Sequence, residues 1–170
     1  ARPRDLATIL SMIKQSRLGA DVKAASAKAF NILGEAEGRI HGVPTSHVHF
    51  HEVGAVDSIV DIVGTAAALS LLGSPKLYHR PFILGRGTIT FSHGTLPLPA
   101  PATLEVLKGR TVIFGALEGE VVTPTGAALA VAFADELPAE MPLRVERVVY
   151  AAGTREKGGE PGMLRAAACS

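Results

Sequence analysis

The sequence predicts a mixed α/β fold, with a helical N-terminal part followed by a mixed sheet with packed helices. Apolar residues recur at helical spacing over the first forty residues, and short alternating runs typical of strands follow. No glycine-rich dinucleotide-binding fingerprint accompanies these strands. Since 170 residues correspond to about one domain, we expect residues 1–170 to form a single domain.

The helical part is predicted first, and a histidine-rich strand follows it. Apolar residues from Val22 to Ile40 keep one face of a helix, which Gly42 and Pro44 end. The strict alternation of Ser46–His51 then predicts a short strand. The apolar run at Val56–Leu72 predicts a helix that is buried over most of its circumference.

The second half of the chain predicts short strands and two further helices. The glycines of Gly85–Gly87 predict an ordinary hairpin turn between two of the strands. Proline lacks an N–H and suits the first turn of a helix, so Pro101 and Pro124 mark two helix starts. The predicted strands are Leu77–Leu84, Thr88–Phe91, Thr111–Phe114, Arg144–Tyr150 and Met163–Ala167, and the helices are Pro101–Leu107 and Thr123–Leu137.

Composition excludes several classes of protein. A chain with 47% hydrophobic and 19% charged residues is not intrinsically disordered. A net charge of +1 and the absence of tryptophan give no basis for nucleic-acid binding. No apolar run is long enough to cross a membrane. Cys169 is the single cysteine, which excludes an intramolecular disulfide and fits a reducing, cytoplasmic compartment.

Hydrophobicity is high for a soluble monomer. The mean hydropathy is +0.27, and the chain starts at Ala1-Arg2-Pro3 without an initiator methionine. We therefore expect a central fragment of a longer protein. Its apolar surface would be covered by missing segments of the same protein or by other copies in a homo-oligomer.

Three histidines at alternate positions are the strongest chemical signal. His47, His49 and His51 would share one face of a strand, with neighbouring α-carbons about 6.7 Å apart. Two such imidazoles can bind one metal ion, and imidazole suits nickel, copper and zinc. His47 and His51 would lie about 13 Å apart on a straight strand. We therefore predict one adjacent pair as ligands, with the third histidine orienting or loading the metal; in the alternative interpretation, the histidines are structural.

Carboxylates follow the histidines. Glu52 is next in sequence, and Asp57 and Asp61 share a helix face because they are four residues apart. A carboxylate buried among the apolar neighbours of Asp61 would need a cation, hydrogen-bond donors or solvent. The alternatives are that Asp57 caps the helix and that Asp61 faces water near the helix start.

Two turns are candidate ligand sites. The sequence His93-Gly94-Thr95 presents an unhindered imidazole beside a glycine that permits close approach of a ligand. The sequence Thr123-Pro124-Thr125-Gly126 predicts a helix start whose N–H groups favour an anion such as phosphate. An ordinary turn and an ordinary helix cap are the alternatives.

Four segments in order resemble the nickel-insertion proteins of the nickel-pincer cofactor, also called LarC-type nickel chelatases. They are His47–Gly64, His93–Thr103, Glu120–Ala128, and Ala152–Glu156 followed by Met163–Arg165. The resemblance implies insertion of nickel into pyridinium-3,5-bisthiocarboxylic acid mononucleotide, with CTP and a divalent metal, to form the cofactor of lactate racemase. The family's N-terminal Gly-Asp-Met segment and C-terminal CTP-binding domain have no counterpart here, so we expect neither CTP hydrolysis nor complete insertion from this stretch alone.

The resemblance implies a role for each candidate residue. The metal site would hold Ni²⁺ through His47, His49, His51, Asp57 and Asp61, and the substrate site would contain Gly94, Thr95, Thr123, Thr125 and Gly126. Glu52 or His93 would accept the proton that nickel displaces from the pyridinium ring.

Two hypotheses from other classes stay open at this point. The imidazoles and carboxylates could serve a two-metal phosphoester hydrolase. Alternatively, the chain is a non-catalytic assembly module with structural histidines.

Overall fold

The computed structural model describes residues 4–48, 50, 56–91, 94–157 and 160–170. The helices in this part are α1 (Leu6–Gln15), α2 (Ala20–His41), α3 (Val56–Leu71), α4 (Pro101–Val106) and α5 (Pro124–Phe133), and a 3-10 turn covers Thr45–His47. The strands are β1 (Leu77–His79), β2 (Phe82–Arg86), β3 (Thr88–Phe91), β4 (Gly94–Pro97), β5 (Val112–Glu118), β6 (Ala134–Glu136), β7 (Val145–Lys157) and β8 (Glu160–Cys169). The prediction of a mixed α/β fold is confirmed.

Helix α2 is the centre of the core. It packs against α1, α3, α4 and α5, and Ala29, Phe30, Leu33 and Ala36 on its surface are fully buried. Gly42 ends the helix in the left-handed conformation, with a φ of 65°. Since glycine adopts this conformation without strain, the predicted helix end is confirmed.

Helix α3 buries only one of its faces. Ser58, Ile62 and Ala66 face the core, whereas Val60 is 62% exposed. The prediction of a helix buried over most of its circumference is therefore wrong. Helices α2 and α5 contact α3, and Val60 stays exposed although it is apolar. Apolar composition alone therefore does not specify burial.

The strands in the described part form four two-stranded sheets. β1 pairs with β6 and β2 with β5 in parallel, while β3 pairs with β4 and β7 with β8 in antiparallel fashion. The turn at Gly85–Gly87 is thus not a hairpin. A Cβ at Gly85 would overlap the carbonyl oxygen of Gly119, so the glycine allows close approach of two backbone segments.

Two element boundaries differ from the predictions. The strand expected at Leu77–Leu84 is split into β1 and β2, and Pro81, which cannot donate a ladder hydrogen bond, lies in the gap. Helix α5 ends at Phe133 rather than Leu137, because Ala134–Glu136 pair with β1 as strand β6.

Polar contacts fix α4 and α5 on α2. The Lys28 ammonium donates a 2.6 Å hydrogen bond to the Ala132 carbonyl at the end of α5. Glu105 of α4 lies 2.6 Å from Lys108 Nζ and 2.9 Å from Arg39 Nε. The Lys108 hydrogen bond, followed by the Arg39 one, lowers the pKa of the Glu105 carboxyl. The end of α5 and helix α4 are therefore each tied to α2 by a polar contact.

Among the described residues, no helix combines the length and apolar character needed to cross a membrane.

Candidate functional site

The segment that contains His47, His49 and His51, called here the histidine segment, is anchored by Val48 and Phe50, which lie between the histidines in sequence. Val48 and Phe50 are each 1% exposed, and the Phe50 ring lies 6.5 Å from that of Phe30 in α2. Backbone bonds join Leu6 N–H to the Val48 carbonyl and Phe50 N–H to the Arg4 carbonyl, at 3.4 and 3.3 Å. The alternation seen in the sequence thus places Val48 and Phe50 in the core.

The strand predicted at Ser46–His51 is wrong at its first residues. Thr45–His47 form a 3-10 turn after Pro44, in which His47 N–H donates to the Pro44 carbonyl at 2.8 Å. The His47 side chain is exposed, and its Nδ1 is 3.2 Å from Ser46 Oγ. His49, His51, Glu52 and His93 lie outside the described residues.

Asp57 and Asp61 lie on the exposed side of α3. Asp57 Oδ1 accepts a 2.8 Å hydrogen bond from Ser58 N–H in the first helical turn. Asp57 is already a residue of α3, so this bond differs from that of an N-cap, which accepts the N–H two or three positions on. Asp61 is solvated, so it needs no cation to offset burial. Within the part of the chain that the structure describes, no three or more His, Cys, Asp or Glu side chains form a metal-binding group.

The substrate candidates Gly94 and Thr95 begin strand β4. Gly94 has a φ of 104°, a conformation that disfavours any side chain. Thr95 pairs with Thr90 across the sheet, and their hydroxyls are 2.8 Å apart. The Thr95 side chain is therefore oriented by its neighbouring strand.

The predicted start of helix α5 is confirmed. Thr123 is the N-cap, and its Oγ1 accepts the Gly126 N–H at 3.1 Å, with Pro124 in the first turn. Just before it, the buried Thr103 hydroxyl donates to the Val122 carbonyl at 3.3 Å. Pro124 has no N–H, and the N–H of Gly126 is used by the cap, so neither offers a free N–H to an anion.

Replacing Thr123 by alanine is expected to lower the free energy of unfolding by about 1 kcal/mol, because the Gly126 N–H loses its side-chain acceptor. Denaturant unfolding measures this change. Thr123→Ser is the matched control, since serine keeps the hydroxyl. Equal stability of wild type and Thr123→Ala would contradict the capping role.

Arg4 lies beside the histidine segment and was not among the sequence candidates. Its carbonyl bonds Phe50 N–H, and its Nη1 is buried without a hydrogen-bond partner in the described part of the chain. A guanidinium nitrogen in this state is suited to an anionic ligand. No sequence pattern indicated it, because the backbone hydrogen bonds of Leu6 with Val48 and of Arg4 with Phe50 join distant parts of the chain.

Comparison with known proteins decides the family. The model of the nickel insertion protein family matches residues 1–169. The chain belongs to this family. The resemblance inferred from the four sequence segments is thereby confirmed.

Curated relatives agree with this membership. The pyridinium-3,5-bisthiocarboxylic acid mononucleotide nickel insertion protein of Geobacillus kaustophilus is 43% identical over 95% of this chain and 39% of its own length. A protein of the same name from Desulfitobacterium hafniense is 46% identical over 90% of this chain and 38% of its own length. A relative from Geotalea daltonii is 46% identical over 95% of this chain. The chain spans about 42% of that relative's length, and no solved structure matches it.

Proposed function

We propose that this chain takes part in nickel insertion into pyridinium-3,5-bisthiocarboxylic acid mononucleotide, with the ion and the mononucleotide as substrates. The observation that carries the proposal is the identity of 43% and 46% to two relatives named for this reaction, over 90% or more of the chain. The burial of Val48 and Phe50 in the core supports the proposal, because it fixes the position of the histidine segment at two residues.

The proposed metal-binding residues are His47, His49, His51, Asp57 and Asp61. Imidazole nitrogens are good nickel ligands, and carboxylates add charge that attracts the cation. His47 is solvent-accessible in the structure, as are Asp57 and Asp61. Accessible ligands suit a protein that passes nickel on, since a fully enclosed ion could not be transferred.

The chemical step proposed for this family member replaces a C–H bond of the pyridinium ring by a nickel–carbon bond. The electron pair of the C–H bond stays on carbon and binds nickel, and the proton leaves to a base. Glu52 and His93 are the proposed bases, because carboxylate and neutral imidazole accept protons near neutral pH.

The mononucleotide phosphate is proposed to bind at the start of α5. Thr123, Thr125 and Gly126 place a hydroxyl-capped helix start there, where the helix dipole favours negative charge. Gly94 and Thr95 are the proposed second part of the substrate site. The fixed orientation of Thr95 by Thr90 supports a positioning role for its hydroxyl.

Further features are proposed from the family resemblance. They are dependence on CTP with a divalent metal, membership of the lyase class, a cytoplasmic location and homo-oligomerisation. The CTP step is proposed for the protein at the length of its relatives, since this chain spans 39% of the Geobacillus kaustophilus protein.

Mass spectrometry of the precursor tests the proposal. After incubation with the protein at the length of its relatives, Ni²⁺, CTP and Mg²⁺, we expect a nickel-containing product, and a reaction without CTP is expected to give none. A reaction with Zn²⁺ in place of Ni²⁺ is the control for a metal ion that only binds the sulfur atoms of the precursor. An unchanged precursor in the presence of all components would contradict the proposed activity.

A further inference from the structure

Strands β7 and β8 form a hairpin with apolar side chains on both faces. Cross-strand partners share a face of a sheet, and the register pairs Val149 with Ala166 and Ala151 with Leu164. Val148, Tyr150, Met163 and Ala167 therefore lie on the opposite face. Every described side chain of the hairpin is exposed. A two-stranded hairpin is only marginally stable in water, so a further partner is needed to stabilise it.

The chain exposes more surface than a compact monomer of its mass would. The accessible surface is 10809 Å², whereas a compact monomer of 17.7 kDa exposes about 7,900 Å². The excess of about 2,900 Å² is well above the roughly 800 Å² that each partner contributes to a standard interface. The chain thus has enough surplus surface for a stable dimer.

The free edge of β7 is better suited to pairing than that of β8. Edge strands are normally protected by charges, prolines or bulges. Residues 148–152 of β7 are five uncharged residues without proline or glycine, whereas β8 contains Pro161, Gly162 and, in its middle, Arg165. The β-branched and aromatic residues of β7 also favour strand pairing more than the alanines of β8 do.

We propose that β7 pairs edge to edge with β7 of a second copy of this chain, antiparallel about a twofold axis through Val149. The two hairpins then form one four-stranded sheet. In this register Val149 faces Val149 of the partner subunit, and Val148 faces Tyr150 of the partner subunit. Aromatic–β-branched pairs of this kind stabilise antiparallel sheets. The pairing specifies a surface for the homo-oligomer and does not depend on the nickel chemistry.

Sedimentation velocity over a range of concentrations tests the dimer. We expect a concentration-dependent dimer, and we expect Val149→Lys to raise its dissociation constant at least about 10-fold, because two like charges would then face each other at the axis. Leu164→Lys is the matched control, since Leu164 lies on the same face of the hairpin and is 72% exposed against 55% for Val149. It should leave the dimer intact.

Oxidative cross-linking tests the register independently. In a Cys169→Ser background, Val149→Cys is expected to give a disulfide-linked dimer, whereas Leu164→Cys is not. A chain that sediments as a monomer at every concentration overturns the proposal. Equal weakening by both lysine variants, or equal cross-linking of both cysteine variants, overturns the assignment to the β7 edge.

Discussion

Replacing His47, His49 and His51 together by alanine is expected to raise the dissociation constant for Ni²⁺ by about 100-fold or more. Changes to residues that only support a metal ligand already cost about 10-fold to 100-fold in affinity, and this variant removes the proposed imidazole ligands themselves. Isothermal titration with Ni²⁺ measures the effect. The variant should stay folded, because Val48 and Phe50, which anchor the segment, are unchanged.

His41→Ala is the matched control for the triple variant. His41 is also an exposed histidine in the same part of the chain, and it pairs with Glu37 at 3.3 Å within helix α2. Its replacement should leave the nickel affinity unchanged. Equal affinities of the triple variant and the wild type would remove the metal-binding role of the histidine segment.

Asparagine variants separate the two interpretations of the aspartates. Asparagine caps helices about as well as aspartate but lacks the charge that favours a metal ion. If Asp57 and Asp61 bind nickel, then Asp57→Asn and Asp61→Asn weaken nickel binding, and the lost helix-dipole interaction costs α3 at most about 1 kcal/mol. If their role is limited to the helix start and solvent, both variants bind nickel like the wild type.

Local patterns predicted helices and the helix start at Thr123 in the candidate site. The cap at Thr123 and the end of α2 at Gly42 follow from side-chain chemistry within a few residues, and the structure confirms both. Such features depend on residues that are close in sequence, and a local sequence pattern contains those residues.

Features that depend on distant segments could not be predicted. Ala134–Glu136 follow directly on α5 but pair with β1, which lies more than fifty residues earlier in the sequence. The exposure of Val60 depends on which neighbours α3 has, and the pattern of α3 does not contain them. The backbone contact of Arg4 with Phe50 arises in the same way from segments far apart in the chain.

Phe30→Ala is expected to lower the free energy of unfolding by about 3–5 kcal/mol, the usual cost of deleting a buried aromatic ring. Phe30 is 0% exposed and lies at the centre of the core on α2. Because domains are stable by only about 5–15 kcal/mol, this single change removes a large part of the total. Denaturant unfolding followed by circular dichroism measures the loss.

Phe30→Ala also tests whether nickel binding at the proposed metal site depends on the core. The Phe30 ring contacts Phe50, which lies between two of the histidines in sequence, so its loss should also weaken nickel binding in the protein that remains folded. Phe114→Ala is the matched control, since it deletes an identical ring that is 69% exposed and should change stability by no more than about 0.5 kcal/mol. If the two variants were equally stable, Phe30 would not hold the core together. If Phe30→Ala bound nickel as the wild type does, the histidine segment would not depend on the core for its binding geometry.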